Sequence, residues 1–382
     1  MPNIPSDTLT PPQPENATGY KPLPDRAAPG NTVGIIGWVR ANLFNSVGNT
    51  ILTLIALYFI YQAAAWFLDW GIINADLAGD SAEACTSSGA CWVFIKARFP
   101  QFIYGFYPSD EVWRINIMFG LFAFCIIGLV VDSIPGKKWF AIFTLVIFPV
   151  LAYYLMLGGA FGLEKVGTHR WGGFSLTLIL AMVGIVASLP IGIVLALGRR
   201  SEMPIVRSIC ITYIEFWRGV PLITVLFMAS VMLPLFMTAG TDTDKLVRAL
   251  IGITMFQSAY MAEVVRGGLQ AIPKGQYEAA EALGLGYWKK TGLIILPQAL
   301  KLMIPGIVNT FIALFKDTSL VLIIGLFDLL AIVQSAITDP NWPQVSVEGY
   351  LFVAFMFWIC CFSMSQYSQR LERKFSTGHK TA

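Results

Sequence analysis

Three pairs of charged side chains stand in stretches that are otherwise apolar: Glu215 with Arg218, Glu263 with Arg266, and Lys316 with Asp317. A charge inside a membrane-like segment costs about 3 kcal/mol, so such groups face an interior or a water-lined surface. The first two pairs fall near the ends of their segments, where interfacial packing explains them as well as ligand contact does. The third lies deep, because a rise of about 1.5 Å per residue carries Asp317 about 24 Å along a helix from Lys301. Thr310, Leu314 and Asp317 are spaced i, i+4, i+7 and so share one helical face. A carboxylate there can receive an ammonium group and Thr310 can supply a neutral hydrogen bond. Asp317 can equally pair with Lys316 or cap a following helix through Thr318 and Ser319. The polar interruption NTFIALFKDTSL is expected to break its helix, as discontinuous spans do where they line a cavity.

Other chemistries find no support. His169 and His379 are far apart, no Cys/His cluster has metal-ligand spacing, and no Ser has a matching base, so neither a metal site nor covalent catalysis is expected. The nearest approach to a phosphate-binding loop, GLGYWKKT (Gly284 to Thr291), has Lys289 where a glycine is needed and no strand before it. No cofactor is therefore expected in this chain, and a net charge of +3 without a basic stripe argues against nucleic acid.

The elements that must position these residues follow from composition. Of 382 residues, 56% are hydrophobic and 13% charged, the balance of an integral membrane protein. Stretches long enough to cross a bilayer lie near 48–69, 114–132, 139–162, 172–198, 208–237, 246–266, 301–327 and 348–368, so an all-α protein of about eight transmembrane helices is expected. Residues 1–44 are polar and Pro-rich and read as a disordered tail. Residues 45–165 read as three helices with a long external loop at about 71–113; residues 166–375 hold the remaining five, and 376–382 form a short tail. With both ends in the cytoplasm, seventeen of the 26 Lys and Arg fall on the cytoplasmic side, seven outside and two within spans. That orientation puts Cys85 and Cys91 in the external loop, where an oxidising compartment lets them form a disulfide.

It also puts the charged connector GQYEAAEALGLGYWKKTGLIILPQAL, Gly275 to Leu300, in the cytoplasm. Pro273 suits a helix start, Glu278 lies in the first turns, and Gly284 and Gly286 should end the helix before a second piece that closes at Pro297. Glu278, Ala279, Ala280, Gly284, Ile294, Leu296 and Pro297 match without a gap the EAA-x3-G-x9-I-x-LP signature, and the chain here resembles the permease subunits of ABC importers. IEFWRGVPLITVLF, AYMAEVVRGGLQAIPKGQYEAAEALG, LPQALKLMIPGIVNTFIALFKDTSL and the terminal RLERK look like the polar, general L-amino-acid branch of that family, over about residues 172–375. Val220 departs from the Thr common in RGTPL, which removes a polar group from the possible substrate path.

The resemblance implies a five-helix type I ABC importer core whose cytoplasmic EAA loop, about 267–300, is the coupling helix that docks on an ATPase. It implies a bacterial inner-membrane permease for L-amino acids of broad range that hydrolyses nothing itself. ATP and Mg would sit on a separate ATPase dimer. A second, related permease subunit would complete the pathway, and a periplasmic amino-acid-binding protein would deliver substrate. Two rivals are an ion-gradient-driven secondary transporter, which needs no docking helix, and a non-transporting assembly or sensor subunit.

Overall fold

The structure is a computed structural model that describes residues 34–160, 162–236 and 243–375. The tail at 376–382 and the tail residues 1–33 lie outside these ranges. Residues 34–42, assigned to the tail by sequence, form helix α1 (Gly34–Asn42), because Ile35, Ile36 and Trp38 make this end of the Pro-rich run apolar and free of proline. Ser46 then caps α2 (Val47–Leu68), its side chain accepting from the Asn49 amide. With a one-turn continuation to Ile73 this is an apolar span of 27 residues, and no side chain of α2 is buried. Of the described residues, those up to Ile73 form one unit and those from Asn74 onward a second.

In the second unit the loop that the charge distribution places outside is not bare. It contains α3 (Trp92–Tyr104), whose N-terminus follows the bridged Cys85–Cys91 pair. Short helices of this kind escape a search for spans because they need only one apolar face. A span formed by a short 3₁₀ turn and α4 (Val112–Val130) comes next. α5 (Lys137–Ile142) and α6 (Phe148–Leu157) then join through a π turn into another. α7 (Gly173–Arg199) and α10 (Lys245–Ala271) are the two 27-residue helices at the centre. They approach closely because α7 presents glycine: a methyl on Gly192 would stand 2.7 Å from Met261 Cγ and 3.1 Å from the Ala262 nitrogen.

Between α7 and α10 the expected continuous span at 208–237 is bent by 101°. α8 (Pro204–Gly219) stops at Val220, which is extended, and Pro221 starts α9 (Leu222–Phe227), which continues in irregular helical turns to Phe236. Pro221 offers no amide hydrogen and forces its predecessor out of the helical region, so hydropathy can run on while the helix cannot. α10 is helical throughout but is not apolar enough to be counted as a free-standing span. Its polar residues are tolerated because it is surrounded, with Gln257, Ser258 and Leu269 among its buried positions. Among the described residues, six helices are long and apolar enough by length and composition to cross a membrane, seven with the bent pair.

α11 (Lys274–Ala282), α12 (Tyr287–Lys290) and α13 (Leu296–Leu302) make the connector. α14 (Ile304–Asp317) follows, then a 3₁₀ turn to Ile324, α15 (Leu329–Ile337) and α16 (Ser346–Phe375). The break expected at Lys316–Asp317 is instead a tightening. Thr318 and Ser319 hydroxyls donate to the Phe315 and Lys316 carbonyls, and the span runs from Ile304 to Ile324. The interruption lies earlier, at Met303, ahead of Pro305.

Two ends of the bundle can be told apart by contact. At one, Thr168 donates to Asp244, Gly172 pairs with Phe327, and the Cys91 amide donates to Glu348 at 2.9 Å, so the starts of α7, α10 and α16 meet α3 and α15. At the other, the ends of α7 and α10 meet α11. There too Lys374 near the end of α16 bonds Asp132 in the turn after α4, and its ammonium holds that exposed carboxyl below the usual range.

Candidate functional site

The seven motif residues come together on the connector, divided between a packed side and an open one. Pro273 leads into α11, and the helix closes on a Schellman turn: Leu285 N–H donates to Ala280 O and Gly284 N–H to Glu281 O. Gly284 takes φ +71°, the left-handed conformation this turn requires, and nothing lies within 4 Å of where its Cβ would be. Ala280 is buried, Ile294 and Leu296 are half-buried beside buried Ile295 and Ala299, and Pro297 begins α13. Glu278, Ala279 and Gly284 face out.

Around them sequence reasoning missed an apolar rim. Leu283 is 75%, Trp288 77% and Leu293 71% exposed. The signal was the pair of glycines, which turn YWKKTGL back beside α11 and lay its large side chains on the open side. Lys290 pairs with Glu281 across the turn, and Gln298 donates to Gln276 at 3.2 Å. Small residues flanked by exposed apolar ones form a shallow surface suited to a partner's groove.

Besides the packing of Ile295 and Ala299 on α7 and α10, polar bonds gather at one carbonyl. Leu269 O, in the last turn of α10 where helical partners run out, accepts from Arg200 at 2.9 Å and from Tyr277 at 3.0 Å, and Arg200 also donates to the Tyr277 hydroxyl at 3.0 Å. A Tyr277→Phe variant should speed amide exchange in Lys274–Ala282 about fivefold, the equivalent of one hydrogen bond of about 1 kcal/mol, without altering the rest of the bundle. Unchanged exchange would show that the hydroxyl holds nothing in place.

Next to this junction Glu263 gathers three guanidiniums. Its carboxylate is 2.8 Å from Arg199, 2.8 Å from Arg266 and 3.6 Å from Arg218. Sequence spacing paired Arg218 with Glu215, but Glu215 bonds Arg199 at 2.8 Å. α7, α8 and α10 lie side by side, so Glu215 pairs across to α7 and Arg218 across to α10, while the expected pair Glu263–Arg266 holds along α10 itself.

Further along α10 and α14 a cavity of about 360 Å³ is lined by Phe256, Gln257, Tyr260, Asn309, Thr310, Ala313 and Asp317. Of the four residues assigned to a pathway from sequence, Thr310 and Asp317 are here and two are not. Leu314 is fully buried on the adjoining flank of α14, against Gly184 of α7, because the lining face runs through Ala313 at i+3. Val220 sits at the α8–α9 bend, half-buried against the apolar core. Asp317 makes no ion pair within 4 Å among the described residues, and its side chain caps no backbone amide. Neither Lys316 nor the following turn accounts for it. Gln257 reaches from α10 to the Thr310 carbonyl at 2.8 Å, and Arg218 lies over the Tyr260 ring at 5.7 Å, linking the cavity to the Glu263 cluster. Gln257 and Tyr260 were not singled out from sequence because FQSAYMAE reads as an ordinary span edge. A carboxylate, amide groups and two aromatic rings can hold a cation that also carries polar groups. No group of described residues is arranged to hold a metal ion.

A family model described as "Binding-protein-dependent transport system inner membrane component" matches residues 188–377. The chain is 57% identical over 355 residues to the inner membrane amino-acid ABC transporter permease protein YhdY of Escherichia coli, covering 93% of this chain and 97% of that one. It is 39% identical to the glutamate/glutamine/aspartate/asparagine transport system permease protein BztC of Rhodobacter capsulatus, covering 94% and 98%. The probable glutamine ABC transporter permease protein GlnP of Bacillus subtilis is 33% identical over 214 residues, 96% of its own length but 56% of this chain.

Proposed function

We propose that this chain, which belongs to the binding-protein-dependent transport system inner membrane components and is an amino-acid ABC transporter permease, carries L-amino acids of broad range inward by alternating access. The observation that carries the mechanism is the continuity from α11, through the Leu269 junction, to α10 and the cavity that holds Gln257 and Tyr260. With both termini in the cytoplasm, as the Lys and Arg distribution favours, α11 faces the cytoplasm and the α3–α15 end faces the periplasm.

An ATPase pair then docks on α11 and holds the ATP and Mg, and this chain contributes no hydrolytic group. Closure of the pair pushes α11, and Arg200 and Tyr277 pass the displacement to the ends of α7 and α10. A second, related permease subunit completes the pathway, and an amino-acid-binding protein delivers substrate at the α3–α15 end. Asp317 receives the α-ammonium group, which every amino acid carries, while Gln257, Asn309 and Thr310 offer neutral contacts that fit many side chains. The GlnP alignment suits this reading, since a relative that matches only 56% of this chain over 96% of its own length is still named a permease.

Asp317→Ala should weaken the apparent affinity for uptake at least about tenfold, the loss of a charge-assisted hydrogen bond, with the protein normally inserted. Uptake with unchanged affinity in a well-expressed variant would remove Asp317 from the pathway and leave the family assignment standing.

A further inference from the structure

At the α11 end of the bundle, Arg199, Arg200, Arg207 and Arg266 line a cleft of about 350 Å³ with Ile211 and Gln270. Two carboxylates reach this group. Glu215 and Glu263 together serve Arg199 and Arg266, and Glu263 also serves Arg218. Five guanidiniums thus share two counter-ions. Arg200 donates to neutral acceptors, Leu269 O and the Tyr277 hydroxyl. Arg207 makes no ion pair among the described residues, and Glu202 in the adjoining turn is not part of the lining. Positive charge concentrated between apolar helices draws an anion, and planar guanidinium forks match the oxygens of a phosphate better than they match any neutral group.

We propose that this cleft binds the phosphate of an anionic phospholipid headgroup, an inference that rests on the membrane orientation given above. The cleft lies where the 27-residue apolar span of α7 ends at Arg199, which is headgroup level for a helix of that length. On the span side of it, Val194 of α7 is 67% exposed and Ile209 of α8 is 64% exposed, so apolar surface is on hand for acyl chains. A basic recess between helix ends at a negatively charged leaflet has the charge and the depth to retain such a lipid. An acidic segment of the ATPase subunit is the rival occupant, but Val194 lies inside the apolar span of α7, where acyl chains run and a soluble subunit does not reach.

The test is thermal unfolding of the purified full chain in detergent, titrated with dioctanoyl phosphatidylglycerol, dioctanoyl phosphatidylcholine or inorganic phosphate. The expected result is a saturable rise with phosphatidylglycerol, none with phosphatidylcholine, and none with inorganic phosphate at the same concentration. Arg207→Gln should raise the half-saturating lipid concentration at least about tenfold, and Arg207→Lys should retain part of the effect. Arg207 makes no internal ion pair, so neither variant should unfold. Equal shifts from both lipids, an unaffected Arg207→Gln titration, or a shift matched by inorganic phosphate would overturn the proposal. So would loss of the co-purifying ATPase subunit from Arg207→Gln with its lipid titration intact, which would make the cleft a protein interface. Binding is read without transport, so a failure of the transport reading would leave this result separately visible.

Discussion

Gly284→Asp should lower ATP-driven amino-acid uptake at least about tenfold while the permease still inserts and unfolds at nearly its usual temperature. Two observations separate the effects. Gly284 has φ +71°, so any side chain carries backbone strain, but Asp is among the residues that tolerate this region and the cost is about 1 kcal/mol. Its Cβ would meet nothing within 4 Å, so no packing inside the chain is disturbed. What changes is the open face beside Ala279 and Leu283, where a carboxylate would be forced into a docked ATPase without a partner. Glu278→Arg reverses the charge on the same face and should act in the same direction. Uptake and ATPase co-purification both at the original level in Gly284→Asp would show that this face docks nothing.

Glu263→Ala is expected to have the other large effect, on stability as well as on transport. Only 15% of the Glu263 side chain is exposed, and removing it leaves Arg199, Arg218 and Arg266 to repel one another at the seam of α7, α8 and α10. Breaking a fully buried pair costs more, but these arginines reach solvent in part, which puts the penalty at about 2 kcal/mol. A lower unfolding temperature by about 2–3 °C should follow. Combining Glu263→Ala with Arg266→Ala should recover part of that loss, because the second change removes one of the stranded charges. An unaltered unfolding temperature in the single variant would mean that the cluster is solvated and does not bind the helices together.

The connector was legible in the sequence because its geometry is local. The glycine that ends α11, the proline that starts α13 and the alanines between them fix their own backbone with little help from the rest of the fold. The spans were legible as apolar length, and α10 could be placed despite its charges because it lies between two clear loops. What sequence hid were the departures from straight helices. The Gly219–Val220–Pro221 bend interrupts no hydrophobic run, and the polar residues at Lys316–Asp317, which suggested a break, need none because Asp317 faces a cavity. α3 and α15 were missed because a short helix needs only one covered face. In the pocket, a helical wheel put Leu314 with Thr310 and Asp317. Only the arrangement of α7 and α10 around α14 decides that Ala313 lines the cavity and Leu314 the core.

The central claim is that this chain converts ATPase closure at α11 into inward movement of an amino acid. The most direct measurement is radiolabelled amino-acid uptake into proteoliposomes holding the permease subunits, with the binding protein outside and the ATPase subunits and ATP inside. The account predicts uptake that requires the ATPase, ATP and the binding protein together, stops on Gly284→Asp and weakens in affinity on Asp317→Ala. Uptake at full rate without the ATPase subunits, driven by an ion gradient alone, would contradict it.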